Sequence, residues 1–172
     1  MKGLFLSPKF TFLTTIFVIL SIQRCVMAQD LVASTCKATP HVQLCLSTLR
    51  SNPKSAHSDV GGLSILMVDA TKAKATRTLQ QIKTLKGSTP QLQKAIDACT
   101  FAYKMILEVD IPEAYEALPG NPKFGEDGMS DCVVEAQTCA NSLKLFNSPA
   151  TGLNQAVHDL SAVATSIIRM LL

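Results

Sequence analysis

The sequence predicts an all-α protein: an antiparallel up-and-down four-helix bundle with an N-terminal, disulfide-clamped helical hairpin. Apolar residues recur every three or four positions, no segment alternates as a strand would, and Gly- and Pro-rich clusters separate the periodic stretches. The 172 residues, 47% of them hydrophobic, suit one domain and are too apolar for a disordered chain. Seven Phe, two Tyr and no Trp indicate an aliphatic core.

The N-terminal residues 1–28 have the layout of a secretory signal peptide. Two lysines precede an apolar stretch at residues 10–22, too short for a comfortable membrane span, and small residues ending at Ala28 offer a cleavage site. Cleavage removes three of the 16 Lys and Arg residues, which leaves 13 basic and 13 acidic side chains. This neutral balance argues against nucleic-acid binding. We expect a secreted or vacuolar domain of residues 29–172, with no membrane contact in its mature form.

The hairpin is predicted at residues 29–56. Cys36 and Cys45 flank the turn signal Thr39-Pro40, and so short a loop closes at little entropic cost, which favours a local disulfide. Five cysteines remain after cleavage of the signal peptide. An oxidising compartment therefore favours two disulfides and one free thiol.

The bundle is predicted at residues 57–172 from four stripes with helical spacing. They consist of Leu63, Leu66, Ala70 and Ala73, continued by Ala75, Leu79 and Ile82; Leu92, Ile96, Cys99, Tyr103 and Ile106; Met129, Cys132, Ala136, Cys139, Leu143 and Phe146; and Leu153, Val157, Leu160, Ala164, Ile167 and Leu171. Turn signals at residues 87–90 and 147–149 separate neighbouring stripes. Residues 112–128, rich in Pro and Gly, are predicted to form one long connection between the second and third bundle helices.

The partner of Cys99 has two alternatives. Cys132 and Cys139 are roughly 10 Å apart along one predicted helix, which is beyond the reach of a disulfide between them. Cys99 therefore pairs with one of them, and the other stays a free thiol. No Cys-x-x-Cys or His-rich spacing indicates a metal site, so we expect neither a metal nor a cofactor.

The sequence contains no motif of a common catalytic site, such as Gly-x-Ser-x-Gly or His-Glu-x-x-His, and no phosphate-binding glycine loop. The histidines are interpreted as unrelated surface residues: His41, His57 and His158. We expect His158 to point away from Asp159, because neighbours on a helix face different directions. The acidic residues Glu113, Glu116 and Glu126-Asp127 are interpreted as charges that stabilise helix starts. We therefore predict no catalytic residue and no enzyme.

The segment Asn121-Pro122-Lys123-Phe124-Gly125 is the most unusual feature of the predicted connection. Two interpretations of Phe124 remain open. Either it packs into the core as a hydrophobic staple at a helix entry, or it is presented as a contact for a partner. The sequence favours neither.

Several segments resemble the plant invertase and pectin methylesterase inhibitor family over nearly the whole mature chain. The family-like cysteine framework consists of Cys36, Cys45, Cys99 and Cys139. Three stretches resemble its invertase-inhibitor branch: residues 35–40, 67–75 and 121–129. Cys132 is an additional cysteine, and residues 133–136 depart from a Ser-Ala-Ala-like stretch of many members, which weakens the pectin methylesterase interpretation.

This resemblance implies a four-helix bundle with a helical hairpin, the disulfides Cys36–Cys45 and Cys99–Cys139, and a free Cys132. It also implies an inhibitor of plant acid invertase whose Pro122-Lys123-Phe124 loop plugs the sucrose-binding cleft. We expect the protein to act as a monomer in the apoplast or vacuole. Lys123 would offer its ammonium to the carboxylates of that cleft, and Phe124 would supply apolar area. Inhibition of pectin methylesterase and binding of a small ligand inside the bundle are the alternative functions.

Overall fold

The structure, a computed structural model, describes residues 31–146 and 148–172, so the predicted signal peptide and Asn147 lie outside it. All regular structure in these residues is helical. The hairpin consists of α1 at 31–37 and α2 at Val42–Arg50, followed by a 3-10 turn at Pro53–His57. The remaining helices are α3 at Val60–Thr84, α4 at Pro90–Met105, α5 at Ile111–Ala117, α6 at Pro122–Leu143 and α7 at Ala150–Ile168. A π-helical turn at Ile106–Asp110 joins α4 to α5, and a 3-10 turn at Arg169–Leu171 follows α7.

The long helices form the predicted antiparallel bundle. Helix α3 packs on α4 and α7, and α6 packs on the same two helices, so all four surround one core. The predicted stripes of α4, α6 and α7 supply much of that core, since their central residues are fully buried. Every helix in the described residues is too short or too polar to span a bilayer.

The predicted stripe of α3 is partly wrong. Ala73 is exposed, whereas Thr71 and Thr78 are buried. Each threonine donates its hydroxyl, at 2.9 Å, to a carbonyl four residues earlier, that of Met67 or Lys74. Burial therefore leaves no unsatisfied polar group, and a threonine can occupy an apolar stripe. The prediction failed because it counted apolar residues alone.

The predicted long connection at residues 112–128 is also wrong. Helix α5 continues to Ala117 and α6 begins at Pro122, so only residues 118–121 link the two helices. Pro112 does not end the helix because it lies in the first turn of α5, directly after the π-helical turn.

The glycines that suggested a loop are packing residues of α6. A Cβ at Gly128 would lie 2.7 Å from the carbonyl oxygen of Asp110 and 3.2 Å from the amide nitrogen of Ala114. A Cβ at Gly125 would lie 3.1 Å from the side chain of Leu118. The absent side chains let the start of α6 lie directly against α5 and the π-helical turn.

A buried polar link joins three bundle helices. The Tyr103 hydroxyl on α4 donates to Oδ1 of Asn154 on α7 at 3.0 Å. Nδ2 of Asn154 in turn donates to the carbonyl oxygen of Ala136 on α6 at 2.9 Å. Since both side chains are satisfied, the link specifies the helix register without an unpaired buried group.

The structure has the disulfides Cys36–Cys45, between α1 and α2, and Cys99–Cys139, between α4 and α6. Of the two alternatives for Cys99, the structure therefore has the pairing with Cys139. In the chain-entropy model this longer bridge stabilises the fold by about 4 kcal/mol. Cys132 is a buried free thiol, and burial raises its pKa, which suppresses the reactive thiolate.

Cys132 should resist alkylation by iodoacetamide in the native protein and react once the protein is unfolded, because burial keeps it protonated and out of contact with the reagent. Non-reducing peptide mapping should find Cys36 linked to Cys45 and Cys99 linked to Cys139. A Cys99–Cys132 peptide would contradict this pairing, and rapid labelling of the native protein would contradict the burial of Cys132.

Candidate functional site

The Pro122-Lys123-Phe124 segment is the first turn of α6, which corrects the prediction that it is a loop. Pro122 lies at the start of the helix, where its missing N–H costs no hydrogen bond. The amides of Phe124 and Gly125 donate to the carbonyl oxygen of Asn121 at 3.1 and 3.4 Å. The segment is therefore held by its own backbone hydrogen bonds before any partner binds.

Phe124 points away from the core. Its side chain is 54% exposed, whereas the next two residues, Gly125 and Glu126, are buried. The interpretation of Phe124 as a core staple is therefore wrong, and the interpretation as a presented contact agrees with this exposure.

The ammonium group of Lys123 is already engaged within α6. Its Nζ donates to Oδ1 of Asp127 at 2.6 Å and to Oε2 of Glu126 at 2.7 Å. These hydrogen bonds raise the pKa of Lys123, with that from Asp127 the larger cause. The side chain remains 58% exposed, so it is held in one direction and still open to a partner.

Glu126 connects this turn to the C-terminal end of the chain. It is only 6% exposed, and its Oε1 accepts hydrogen bonds from the Arg169 guanidinium, including one from Nε at 2.9 Å. Lys123 and then Arg169 lower the pKa of Glu126, which keeps it ionised. Arg169 lies 43 residues away from Glu126, and no local sequence pattern indicates this contact.

An open groove of about 610 Å³ lies beside Phe124, between α5 and the start of α6. Its apolar lining includes Val109 and Pro112 together with Phe124, and its acidic lining consists of Glu108, Glu113 and Glu116. The interpretation of the acidic residues as charges at helix starts is wrong. Glu113 and Glu116 lie in α5, which continues α4 through the π-helical turn and so has no free N-terminus, and α6 has no acid in its first turn. The groove was not predicted, because the Pro- and Gly-rich sequence of this segment indicated a connection and not a helix.

The π-helical turn buries one acid, Asp110, with 5% exposure. Its Oδ2 has no hydrogen-bond partner among the described residues. Burial raises the pKa of Asp110 to about 6, and the charges of Asp131, Glu135 and Glu113 act in the same direction. The burial of Asp110 could have been predicted from the sequence, because Asp110 follows Ile106 by four positions and so continues the apolar stripe of α4.

His158 and Asp159 are in contact, contrary to the prediction. His158 Nδ1 lies 3.1 Å from Asp159 Oδ1, and Nε2 of His41 lies 3.4 Å from the same oxygen. The prediction considered where the side chains leave the helix and ignored how far they reach. Because His41 immediately precedes α2, the cluster ties the hairpin to α7. Across the described part of the chain, no group of His, Cys, Asp and Glu side chains is arranged to hold a metal ion.

Comparison with known proteins agrees with the predicted resemblance. Residues 30–167 match the family model of the plant invertase/pectin methylesterase inhibitors. Cell wall / vacuolar inhibitor of fructosidase 1 of Arabidopsis thaliana is 41% identical over 139 residues, which cover 80% of this chain and 67% of that protein. Pectinesterase inhibitor 1 of Arabidopsis thaliana is 25% identical over 145 residues, 81% of each protein.

Solved structures show the same fold. A crystal structure of mutant form A of a pectin methylesterase inhibitor from Arabidopsis has a TM-score of 0.70 and 25% identity, and the match covers 78% of this chain and 93% of that one. A second, of a pectin methylesterase inhibitor from Arabidopsis thaliana, has a TM-score of 0.63 and 24% identity, covering 82% and 95%. Sequence, cysteine framework and fold thus agree, and the chain belongs to the plant invertase/pectin methylesterase inhibitor family.

Proposed function

We propose that the protein inhibits a plant acid invertase by placing the first turn of α6 in the sucrose-binding cleft of the enzyme. The observation that carries this proposal is the pair formed by the exposed Phe124 and the oriented ammonium of Lys123 on a rigid helical turn. The 41% identity to a cell wall / vacuolar inhibitor of fructosidase supports the choice of enzyme.

The chemistry of the target suits this turn. Acid invertases are glycoside hydrolases, which use two carboxylic residues at the scissile bond. We therefore expect their substrate cleft to be concave and acidic. Lys123 supplies a positive charge, and burial of Phe124 supplies about 1.5–3 kcal/mol. Pro122 and the helical hydrogen bonds of the turn lower the ordering cost of binding. The inhibitor itself performs no chemistry.

Lys123 must exchange its carboxylate partners when it enters the cleft. The buried Glu126 still has the guanidinium of Arg169 after this exchange, so no unpaired buried charge is left behind. Asp127 is more exposed, with a side chain at 45%, and water can solvate it. This arrangement lowers the cost of moving the ammonium from an internal to an external carboxylate.

Pectin methylesterase is the second candidate target. The family description, the 25% identical pectinesterase inhibitor and the solved structures favour this target. At such low identity, the inhibitor and the structures support a shared fold more than a shared target enzyme. A ligand carrier would need an apolar cavity inside the bundle. The groove beside Phe124 is not such a cavity, because it opens at the surface between three glutamates.

We propose secretion to the apoplast or delivery to the vacuole, and action as a monomer. The predicted signal peptide at residues 1–28 and the cell wall / vacuolar name of the 41% identical relative support this location. The two disulfides suit such an oxidising route.

The test is an inhibition assay of the secreted protein against purified cell-wall invertase, vacuolar invertase and pectin methylesterase at acidic pH. We expect inhibition of an invertase that added sucrose relieves, because substrate and inhibitor occupy the same cleft, and unchanged pectin methylesterase activity. Inhibition of pectin methylesterase alone would replace the target. Full activity of all three enzymes would overturn the inhibitor function.

A further inference from the structure

We infer that the groove beside Phe124 is a second part of the enzyme-binding surface, and that it receives a basic, partly apolar segment at the rim of the target's cleft. This inference rests on the proposed function. It extends the contact from the first turn of α6 to α5 and the π-helical turn, which the Pro-Lys-Phe segment does not include.

The charge of the groove selects the occupant. Glu108, Glu113 and Glu116 are exposed, and none of them forms a salt bridge within residues 31–146 and 148–172. In the part of the chain that the structure describes, no Lys or Arg side chain lines the groove. Three exposed carboxylates without a salt-bridge partner create a local negative potential, which favours a segment that carries Lys or Arg.

The apolar part of the groove requires that the segment also bring an apolar side chain. Val109 is 44% exposed and Phe124 54% exposed, and Pro112 lies in the same lining. The π-helical turn places Glu108 and Val109 side by side on the outer surface while it buries Asp110. Such turns recur at functional sites in helical proteins.

Continuity with the proposed contact identifies the partner as the same enzyme. Phe124 belongs both to the first turn of α6 and to the groove. An enzyme that buries this side chain must also cover the groove next to it. The rim of an acidic cleft is therefore expected to present a basic, apolar edge at this point.

The experiment measures invertase inhibition by the full secreted chain carrying Glu108→Lys/Glu116→Lys or Val109→Asp. We leave Glu113 unchanged because its charge acts on the buried Asp110. Each variant should raise the inhibition constant at least tenfold. The double charge reversal should act mainly on the association rate and flatten its dependence on salt.

Two matched controls lie outside the groove. Asp97→Lys reverses an exposed charge on α4 whose side chain, among the residues that the structure describes, accepts a hydrogen bond from Gln93 alone. Val134→Asp changes a valine on α6 that is 58% exposed, compared with 44% for Val109. Both should inhibit within twofold of the unchanged protein, and all variants should keep their circular dichroism spectrum and melting temperature, because the changed side chains are exposed.

The outcomes separate the two proposals. Normal inhibition by both groove variants, together with lost inhibition by Lys123→Glu, would overturn the groove contact and leave the proposed function intact. If the unchanged protein inhibits no invertase, the proposed function is overturned. The inference that an invertase segment binds the groove is then overturned as well. A dimer in sedimentation experiments that Val109→Asp dissociates, with inhibition unchanged, would make a second copy of this chain the occupant and overturn the inference.

Discussion

Phe124→Ala should weaken inhibition of an acid invertase by at least tenfold, about 1.4 kcal/mol, without loss of the helical fold. Lys123→Ala should weaken inhibition to a similar degree. Lys123→Glu should nearly abolish it, because it places a carboxylate among the carboxylates of the cleft. These effects follow if the two side chains enter the active site together, one as apolar area and the other as charge.

The fold should survive these changes because neither side chain supports the core. Phe124 is 54% exposed, so its truncation leaves no cavity. The ion pair of Lys123 with Asp127 is exposed, and exposed pairs contribute little to stability. The buried Glu126 keeps the Arg169 guanidinium as its partner when Lys123 is replaced. If Phe124 were a core residue, the same truncation would cost about 3–5 kcal/mol in unfolding free energy.

Inhibition constants and thermal melting should be measured together for each variant. Phe101→Ala is the matched control, because Phe101 is a 64% exposed phenylalanine on α4 that lies outside the groove lining. It should inhibit normally. Lys94→Glu, an exposed change of the same charge on α4, should do the same. Normal inhibition by a folded Lys123→Glu/Phe124→Ala double variant would remove this turn from the mechanism.

The bundle could be predicted from the sequence because burial is periodic along its helices. Ile96, Cys99, Tyr103 and Ile106 are all buried, as their spacing indicated. The spacing also limited Cys99 to two partners, since two cysteines seven residues apart on one helix cannot pair with each other. Local periodicity and chain geometry were sufficient for these features.

The segment around the site could not be predicted in the same way. Gly128 is a helix breaker by propensity, and only the approach of the Asp110 carbonyl shows why a helix needs glycine at that position. The contact of Arg169 with Glu126 spans 43 residues and follows from how the helices pack. The exposure of Phe124 could not be predicted either, since a phenylalanine at a helix start can pack as a hydrophobic staple or be presented to a partner.

Asp110→Asn should make the protein more stable than the unchanged chain at pH 7.5, by about 2–3 kcal/mol, and should have little effect at pH 4. The pKa of Asp110 is raised from 3.8 to about 6 in the folded state, chiefly by burial. A raised folded pKa means that the folded state prefers the protonated acid. The associated stability is complete below pH 3.8 and is lost as the pH rises through 6.

The charged groups around Asp110 also raise its pKa. The negative charges of Asp131 and Glu135 on α6 and of Glu113 on α5 each oppose ionisation of Asp110 and raise its pKa further. The nearby Cys132 thiol stays neutral because its pKa is raised. At neutral pH the ionised Asp110 therefore lies buried, with Oδ2 lacking a partner among the described residues, and an amide at this position removes that charge.

The measurement is the difference in unfolding free energy between Asp110→Asn and the unchanged chain, from urea denaturation at several values between pH 4 and 7.5. The unfolding free energy of one variant alone is not sufficient, because Glu126 changes it in the opposite direction. The pKa of Glu126 is lowered in the folded state, so its stabilising effect is lost as the pH falls. Asp97→Asn, on the exposed face of α4, should leave the pH profile unchanged. A constant difference across this range would contradict a buried, ionisable Asp110. A difference that grows from pH 4 and levels off above 6 would mean that the fold is most stable while Asp110, in the π-helical turn that also carries Glu108 and Val109 of the groove, is protonated.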